Sequence, residues 1–581
     1  MWGGGVVVEE FKGIAASPGI AIGRAHLFTK EKRKIVRKEI SSKLVESEIR
    51  RFNQSLEKAR EYLKDLIDRV RREVGEKEAE IYEAHLMMLD DESSFIKPVE
   101  EMIAKERVCA EYAVEKVLEK VISLFRSMES EYMRERAMDI KDVKELVISF
   151  LIDRETKREE LSMKSVVVAE ELLPSDIATL NKRMVLAFVT DKGGPTSHVA
   201  IVARTLKIPA VVGTGDFSTR IRGGELLIVD GDKGLVLLNP TEDVISSYRR
   251  LREKKEAVLD ELMRETKFPA ITVDGVRFKV FANVGSLEEV REAIRYGAEG
   301  IGLLRTEFMY INRESMPTEE ELLEVFLSIG KLMKDRPIIV RTLDIGCDKP
   351  LPYVRMPEEA NPFLGWRGIR LTLDNPRMMK TQLKALLRAG AYGNFKLMFP
   401  MITTVEEIRK AKELIMNAID ELKSGGIQFG EVEVGTMIET PASALIVDLL
   451  ADEVDFFSIG TNDLTQYIMA ADRGNARVSK FYNPLHPAVL RMIHKIIEEA
   501  HNAGREVGMC GEMASDPRAI PLLVGMGLDE LSMNPSSIPK AKKVIRSISK
   551  KEAENLVTDV LSSKTLSEVL DLIAKFNKSE V

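Results

Sequence analysis

The first third of the chain carries a helical pattern of apolar residues. Between residues 45 and 74 they recur at alternating steps of three and four, with Arg, Lys and Glu between them. This spacing predicts one amphipathic helix on the order of 45–50 Å long, at ~1.5 Å per residue. Shorter helical patterns follow at Ile81–Leu89, Ser94–Lys105, Tyr112–Phe125 and Lys141–Leu151. Because only short connections separate them, they predict a helical bundle over residues 38–152.

The pattern changes to short apolar strands near residue 165. β-branched runs bounded by Gly, Pro or Asp stand at 166–169, 185–189, 210–212 and 226–229, and residues 19–28 have a similar character. These runs predict a small α/β domain made of residues 10–37 and 153–240, with the bundle inserted into it. Residues 241–266 are charged and contain neither Gly nor Pro, which predicts a linker helix.

From residue 278 onward, strand, loop and helix alternate. The candidate strands are Phe278–Val284, Gly300–Leu304, Ile338–Thr342, a weaker one near Gly368–Leu373, Leu397–Pro400, Val434–Ile438, Phe456–Ile459 and Val507–Cys510. Eight strands over about 300 residues match the scale of a (β/α)8 barrel, so residues 267–581 are predicted to form a TIM-type barrel. The fourth strand has the weakest pattern, and Leu531–Met533 could take the last place instead. The predicted fold class is therefore multidomain α/β.

Composition removes several classes of function. The 581 residues are 44% hydrophobic with a formal net charge of −7, which gives no broad field for nucleic acid. Cys109, Cys347 and Cys510 are too few and too far apart for a disulfide framework or a zinc site. Neither a signal peptide nor an 18-residue apolar run is present. We expect a cytoplasmic protein that neither inserts into membranes nor binds nucleic acid.

Charged and reactive residues stand at the ends of the predicted barrel strands, where active sites of such barrels lie. They are Arg305, Arg341, Glu439, Asp463, Arg473 and Cys510. Arginines suit phosphate and carboxylate oxygens, and two neighbouring carboxylates can hold Mg²⁺. A thiol can donate a proton to a carbon centre. Each residue alone is more often part of a surface ion pair, but their agreement at several strand ends favours a site for a small, dense anion.

A second candidate centre lies around His198. Residues 191–204 have the pattern of a strand end, a glycine turn and a helix, and Thr196 or Ser197 would cap that helix. His198 then falls in the first turn, where backbone N–H groups favour an anion, and a neutral imidazole could accept a phosphoryl group. A histidine after a turn is more often structural, and the local pattern leaves both interpretations open. His85 lies on a helix and is interpreted as a packing or interface histidine.

These motifs together resemble the enzyme I family of the phosphoenolpyruvate:sugar phosphotransferase system, the phosphoenolpyruvate–protein phosphotransferases. The resemblance covers essentially the whole chain from Gly13 onward. Its motifs are Gly-Gly-X-Thr-Ser-His, Leu-Leu-Arg-Thr-Glu-Phe, Arg-Thr-Leu-Asp-Ile-Gly, Met-Ile-Glu-Thr-Pro, Gly-Thr-Asn-Asp-Leu-Thr-Gln and Met-Cys-Gly-Glu.

The resemblance implies a mechanism as well as a fold. Phosphoenolpyruvate and Mg²⁺ would bind in the barrel, with Glu439 and Asp463 as metal ligands. His198 would become a tele-phosphohistidine, Cys510 would protonate the enolate to give pyruvate, and the phosphoryl group would pass to the carrier HPr on the helical bundle. The barrel would carry a homodimer interface. The substrate-binding residues would be Arg305, Arg341, Asn462, Asp463 and Arg473.

Two positions depart from the pattern of the family. Pro195 replaces the basic residue usual before Thr-Ser-His, and Cys347 stands where a second Gly is normal. The first could alter phosphohistidine stability or carrier recognition, and the second adds bulk to a loop near the substrate. Neither removes a residue with an assigned chemical role, and Cys347 is interpreted as a structural thiol.

Two alternatives are less favoured. A phosphoenolpyruvate synthase or a pyruvate, phosphate dikinase needs a nucleotide-binding domain of several hundred residues before the histidine, but only 197 residues precede His198. A non-enzymatic regulator with the same fold would have lost an arginine, a metal ligand or Cys510. Since none of them is missing, the sequence predicts an active phosphotransferase.

Overall fold

The computed structural model describes residues 9–579, apart from residues 30–34, 74–75, 128–130, 153–160, 162, 196, 312, 314, 347–350, 352, 355, 358 and 476. Thr196 and Cys347 of the sequence analysis therefore lie outside the described residues. The chain divides into two compact units, Met1–Glu256 and Ala257–Val581. Within the described ranges, every helix is too short or too polar to cross a membrane.

Five helices form the bundle of the first unit. They are α1 (Val45–Glu73), α2 (Glu76–Leu89), α3 (Lys97–Glu106), α4 (Ala110–Arg126) and α5 (Glu131–Leu151). The predicted long helix is present as α1, and its apolar positions, including Phe52, Leu56 and Leu63, are fully buried against the other four helices. The 3–4 spacing places these side chains on one face, and their burial stabilises a helix that is otherwise strongly charged.

Outside the bundle, the first unit is built around an eight-stranded sheet. Its strands are β1 (Glu9–Lys12), β2 (Ile14–Ser17), β3 (Ile20–Leu27), β4 (Ser165–Ala169), β5 (Val185–Thr190), β6 (Ala210–Val212), β7 (Leu226–Asp230) and β8 (Leu235–Leu238). The order is β1-β8-β7-β3-β4-β5-β6-β2, with β3, β4, β5 and β6 parallel. Three short helices accompany it, α6 (Pro174–Thr179), α7 (His198–Thr205) and α8 (Phe217–Arg220).

The helical bundle lies in sequence between β3 and β4, which pair directly in parallel. This is the arrangement expected of a bundle inserted into an α/β domain. The predicted linker helix is present as α9 (Glu242–Glu265), and the division between the two units falls inside it. The predicted domain limits at 37/38, 152/153, 240/241 and 266/267 stay predictions.

The second unit contains a closed barrel of eight parallel strands. They are β10 (Arg277–Val284), β11 (Ile301–Leu304), β12 (Ile338–Arg341), β13 (Phe395–Phe399), β14 (Glu433–Ile438), β15 (Phe456–Ile459), β16 (Glu506–Met509) and β17 (Glu530–Met533), and a short strand, β9 (Ala270–Ile271), pairs antiparallel with β10. Because β10 pairs with both β11 and β17, the sheet closes. The predicted barrel class is confirmed.

One predicted strand is wrong. Residues 368–373 fall almost wholly within a short helix, and the last barrel strand lies at Glu530–Met533, the alternative that the sequence left open. Ile369, Leu371 and Leu373 alternate with polar residues, which is the period of a strand, but a segment this short can also form a helix, so periodicity alone does not decide between them. The helices of this unit are α10 (Leu287–Arg295), α11 (Glu319–Met333), α12 (Ile369–Asp374), α13 (Pro376–Gly390), α14 (Val405–Ser424), α15 (Pro441–Leu445), α16 (Val447–Ala451), α17 (Thr461–Met469), α18 (Pro487–Asn502), α19 (Ile520–Gly525), α20 (Ile538–Ser547), α21 (Lys550–Ser562) and α22 (Leu566–Ser579).

Candidate active site

The carboxyl ends of the barrel strands bring the predicted barrel residues to one face. Since all eight strands are parallel, residues that follow different strands meet at the same end of the barrel. The positions are Arg305 after β11, Arg341 at the end of β12, Glu439 after β14, Asn462 and Asp463 in the first turn of α17 after β15, Arg473 beyond α17, and Cys510 after β16. We call this face the barrel mouth.

Arg341 is buried at the barrel mouth between two carboxylates. Its Nη2 pairs closely with Oε1 of Glu307, and its Nη1 lies 3.0 Å from Oδ2 of Asp344. Burial alone would lower the pKa of the guanidinium, but the negative charges of Glu307, Asp344 and Glu439 together raise it. Its Nε has no hydrogen-bond partner among the described residues. A buried guanidinium held in this way still has a donor for a ligand.

A second buried arginine, Arg367, was missed by the sequence analysis. Its Nη2 lies 2.9 Å from Oδ2 of Asp344 and 3.5 Å from Oδ2 of Asp463. The following residue, Gly368, has φ +56°, and a Cβ there would meet the Cβ of Met401 at 2.9 Å. Glycine is therefore required at the turn that directs Arg367 into the site. No strand-end signal pointed to Arg367, because the weak predicted strand begins at residue 368, directly after it.

Glu439 and Asp463 are two buried carboxylates of the barrel mouth. The pKa of Glu439 is raised to about 8, because burial disfavours its charge and because Asp463 and Asp344 repel it. Its Oε1 accepts the N–H of Met401 at 2.7 Å. Met401 adopts a left-handed φ of +59°, an unfavourable conformation for a side chain other than glycine. The strained residue Met401 is thus the one whose N–H donates to Glu439 at the candidate site.

The donor set of the barrel mouth fits a hard divalent cation. Four buried carboxyl groups face two buried arginines, so acidic groups are in excess and a bound cation would offset them; the acids are Glu307, Asp344, Glu439 and Asp463, and the bases are Arg341 and Arg367. Asp463 Oδ1 is buried and has no hydrogen-bond partner within the described structure. Among the described residues, no group of three or more His, Cys, Asp or Glu side chains is arranged so that it could hold a metal ion by itself. A two-carboxylate site suits Mg²⁺, which commonly retains water and substrate oxygens as its other ligands.

Cys510 lies inside the barrel beneath this charged layer. It is 6% exposed and packs with Leu303, Ile339, Met398, Met437 and Phe456. Burial raises the pKa of the thiol to about 11, so the group keeps its proton at neutral pH. At the next residue, Gly511, a Cβ would lie 1.7 Å from Oγ1 of Thr461, so only glycine allows this close approach.

The remaining predicted residues of the barrel lie nearer to solvent. Arg305 and Arg473 are exposed, and the backbone N–H of Arg473 donates to Oε1 of Gln466 at 3.2 Å. Asn462 is half-buried, and its Oδ1 accepts the N–H of Glu512 at 3.2 Å. The long, exposed side chains of Arg305 and Arg473 thus lie beside the buried charged groups, where they can reach a bound anion.

His198 occupies a different setting in the first unit. It is the first residue of α7, and Ser197 precedes the helix as predicted, although the Ser197 hydroxyl makes no capping hydrogen bond. The preceding loop is held by the carboxylate of Asp191, which accepts the N–H of Ser218 at 2.9 Å and the hydroxyl of Thr214 at 3.1 Å. Pro195, the departure from the family pattern, is exposed in this loop.

The bundle supplies a carboxylate to His198. Asp139 of α5 is 6% exposed, and its Oδ1 lies 3.5 Å from Nε2 of His198 and 3.4 Å from Nε2 of His85. His85 itself is 1% exposed, in accordance with its interpretation as a packing or interface histidine. This shared carboxylate could not be predicted from the sequence, because Asp139, His85 and His198 lie on three different helices.

Comparisons with known proteins define the class of the chain. Three family models match it: the PEP-binding domain of PEP-utilising enzymes at residues 260–550, their N-terminal domain at 12–136 and their mobile domain at 161–234. These models and the barrel with its charged mouth define a phosphoenolpyruvate-utilising enzyme.

Full-length relatives narrow the class to one family. The chain is 45% identical to the phosphoenolpyruvate-protein phosphotransferase of Priestia megaterium, over 98% of this chain and 99% of that protein. It is 44% identical to the protein of the same name from Bacillus subtilis (strain 168), over 97% of this chain and 99% of that one. A solved NMR structure of Enzyme I (nEIt) is 45% identical and covers 42% of this chain and 99% of its own, with a TM-score of 0.37. The chain belongs to the phosphoenolpyruvate–protein phosphotransferase family and is an enzyme.

Proposed function

We propose that the enzyme transfers the phosphoryl group of phosphoenolpyruvate to its own His198 and then to a histidine of the carrier HPr, releasing pyruvate. This would be the first general step of the sugar phosphotransferase system. The observation that carries the proposal is the pair of buried arginines held between carboxylates at the barrel mouth. Phosphoenolpyruvate carries a phosphate and a carboxylate close together, and two fixed guanidinium groups are suited to such an anion.

The substrate would be bound from two directions. Arg341 is fixed by Glu307 and Asp344, so it can be in place before the substrate arrives. Arg305, Arg473 and Asn462 lie nearer to solvent and can close on the phosphate and carboxylate oxygens from outside.

Glu439 and Asp463 would hold Mg²⁺. The raised pKa of Glu439 and the unpartnered Oδ1 of Asp463 support this role, because a divalent cation would offset the repulsion between the two carboxylates. When bound, Mg²⁺ supplies positive charge to the substrate oxygens and to the negative charge that develops as the phosphoryl group departs.

His198 and Cys510 would carry out the covalent steps. The lone pair of His198 Nε2 attacks phosphorus, so an N–P bond forms while the bond from phosphorus to the enol oxygen breaks. The resulting enolate takes a proton at carbon from the thiol of Cys510, which gives pyruvate and a thiolate that regains its proton from solvent. Because burial raises the pKa of Cys510 to about 11, the thiol is protonated at neutral pH as this step requires.

The two transfers proposed for His198 require this residue to move. His198 belongs to the first unit and the barrel mouth to the second, and His198 must also become accessible to HPr on the bundle. One fixed geometry cannot serve both transfers, so we place a hinge in or near α9. A homodimer formed through the barrel and a cytoplasmic location complete the proposal.

Labelling with radioactive phosphoenolpyruvate and Mg²⁺ tests the central step. We expect an acid-labile, base-stable phosphoprotein that passes its label to purified HPr. His198→Ala should remove the label completely, whereas His26→Ala, at a histidine on β3 of the same unit, should retain it. Label on the His198→Ala protein would refute the assignment of the acceptor. Label on the wild-type protein without transfer to any HPr offered would point to a different carrier.

A further inference from the structure

Asp139 lies at the junction of two histidines that come from different parts of the first unit. One oxygen, Oδ1, faces Nε2 of His85 at 3.4 Å and Nε2 of His198 at 3.5 Å. The other oxygen, Oδ2, accepts from Nη1 of Arg136 at 3.3 Å. Burial would raise the pKa of Asp139, but the hydrogen bond from His85 and the electrostatic interactions with His198 and Arg136 together hold it below its usual value. Asp139 is therefore an ionised acceptor in a buried setting.

The groups behind Asp139 fix it in place. Nδ1 of His85 lies 3.7 Å from Oδ2 of Asp142, and Asp142 accepts the N–H of Ser175 at 2.9 Å. Tyr82, on the same helix as His85, donates its hydroxyl to the carbonyl of Pro174 at 2.7 Å. These bonds join the bundle to the start of α6, so the carboxylate is presented to α7 by a buried and hydrogen-bonded framework.

The space beside the His198 ring is small and mostly apolar. A cavity of about 10 Å³ lies there, lined chiefly by Val70, Ile81, Tyr82, Pro174, Ile177, Lys182 and Val202. This volume holds about one water molecule. A phosphoryl group, with three oxygens around phosphorus, is larger than this cavity. Lys182 is the cation on this wall, but Asp139 faces the ring nitrogen itself.

We propose that Asp139, supported by His85, is a positioning residue that binds the unphosphorylated imidazole of His198 through its Nε2–H and excludes the phosphorylated form. The proposal rests on the proposed function, in which Nε2 of His198 takes the phosphoryl group. After transfer, Nε2 has no proton to donate, and the oxygens of the attached phosphoryl group carry about two negative charges. The contact that held α7 against the bundle becomes a repulsion, so phosphorylation itself releases the histidine for the carrier.

The same contact controls when His198 can act as a nucleophile. While Nε2 donates to Asp139, its lone pair is not available for attack. On leaving Asp139, the imidazole gives the Nε2 proton to water and takes one from water at Nδ1, so its net charge is unchanged. The contact between Asp139 and His198 thus stabilises the unphosphorylated enzyme. Phosphorylation must overcome the free energy of that contact.

An equilibrium measurement tests the charge-dependent part of this proposal. The full-length enzyme is equilibrated with Mg²⁺, phosphoenolpyruvate and pyruvate at fixed ratios, and the phosphorylated fraction is measured. Asp139→Asn should raise the ratio of phosphorylated to unphosphorylated enzyme about tenfold, the scale of one charge-assisted hydrogen bond. Asp90→Asn, which removes an exposed bundle carboxylate that pairs with Arg60 and lies outside the framework described above, should leave the ratio within about twofold. An unchanged or lower ratio in Asp139→Asn would overturn the proposal.

A measurement on the wild-type enzyme covers the case in which Asp139→Asn fails to fold. In the ¹⁵N spectrum of histidine-labelled enzyme, His198, assigned by its loss in His198→Ala, should be the Nε2–H tautomer. The Nδ1–H tautomer would refute the contact with Asp139. Failure of the proposed function looks different: wild-type enzyme would then gain no phosphoryl group, or His198→Ala would still gain one.

Discussion

The barrel mouth and the surroundings of His198 differ in how their charges are held. Arg341 and Arg367 are 9% and 8% exposed, and each lies within ion-pair distance of two carboxylates. The side chain of His198 is 19% exposed, and the carboxylate that it faces belongs to another helix. The arginines are thus held by partners that stay with the barrel, whereas the histidine is held by a contact that can be given up.

This difference fits the tasks proposed for the two regions. A site that stabilises charge on a small anion gains from donors that are fixed beforehand, because no reorganisation is then needed during the reaction. A group that visits two partners gains from contacts that are few and dependent on its chemical state. The following predictions test whether the contrast is real, from the largest expected effect to the smallest.

Arg341→Met should have the largest effect. It removes a fixed donor and leaves Glu307 and Asp344 without their buried partner, so we expect kcat/KM for phosphoenolpyruvate to fall by about 10³ and the melting temperature to fall as well. Steady-state kinetics and thermal unfolding measure both effects. Arg305→Met, at an exposed arginine, should cost only about tenfold in kcat/KM without a change in melting temperature. Equal losses in the two variants would contradict the contrast between fixed and exposed charges.

Cys510→Ala should slow pyruvate formation by about 10², the usual contribution of a positioned proton donor, while phosphoenolpyruvate binding changes little. Rapid-quench measurement of pyruvate and equilibrium binding separate the two. Because burial raises the thiol pKa to about 11, the wild-type rate should show no loss from thiol ionisation below about pH 10. Cys109→Ala, at a buried cysteine of the bundle, is the matched control. Loss of binding in Cys510→Ala would assign the thiol to a different role.

Binding of Mg²⁺ should weaken as the pH falls through about 8. The pKa of Glu439 is raised to about 8, chiefly by burial and then by Asp463 and Asp344, so below this pH a proton competes with the cation. We expect the apparent dissociation constant, measured by calorimetry, to rise by up to about tenfold per pH unit below 8. Glu530→Gln is a useful control, because Glu530 is another buried barrel carboxylate with a pKa of about 8. A pH profile that changes in this variant would place the competing proton elsewhere.

Glu530→Gln should have the smallest effect, on stability alone. Burial raises the Glu530 pKa to about 8, so its carboxyl favours the folded state most below its unfolded pKa and loses that contribution as the pH rises through 8. We expect the variant to melt a few degrees above the wild type at pH 9 and to lose this advantage at pH 5. Glu506→Gln, which removes an exposed partner of Lys279, should not show this crossing. If the melting temperatures of the two variants change with pH in the same way, burial of the Glu530 carboxylate does not destabilise the fold at high pH.

Much of the candidate site could be predicted from the sequence, namely which residues meet at one face of the barrel. Arg341, Glu439, Asp463 and Cys510 could be placed together because each follows a recognisable strand and parallel strands share one carboxyl face. Arg367 could not be placed, since the short segment after Gly368 has the alternating pattern of a strand and yet forms a helix. The chemical roles assigned to these residues stay predictions, and labelling and kinetics are their tests.

The sequence by itself determined most of the elements, their order and the residues that stand at most strand ends, because periodicity and turn residues act over a few positions along the chain. Only the tertiary structure decided which charges become neighbours. Arg367 meets Asp463 from 96 residues away, and Asp139 receives His85 and His198 from two other helices. Burial in those contacts then sets the pKa values of Glu439 and Cys510, since desolvation depends on the closed barrel around them and not on the residues beside them in sequence.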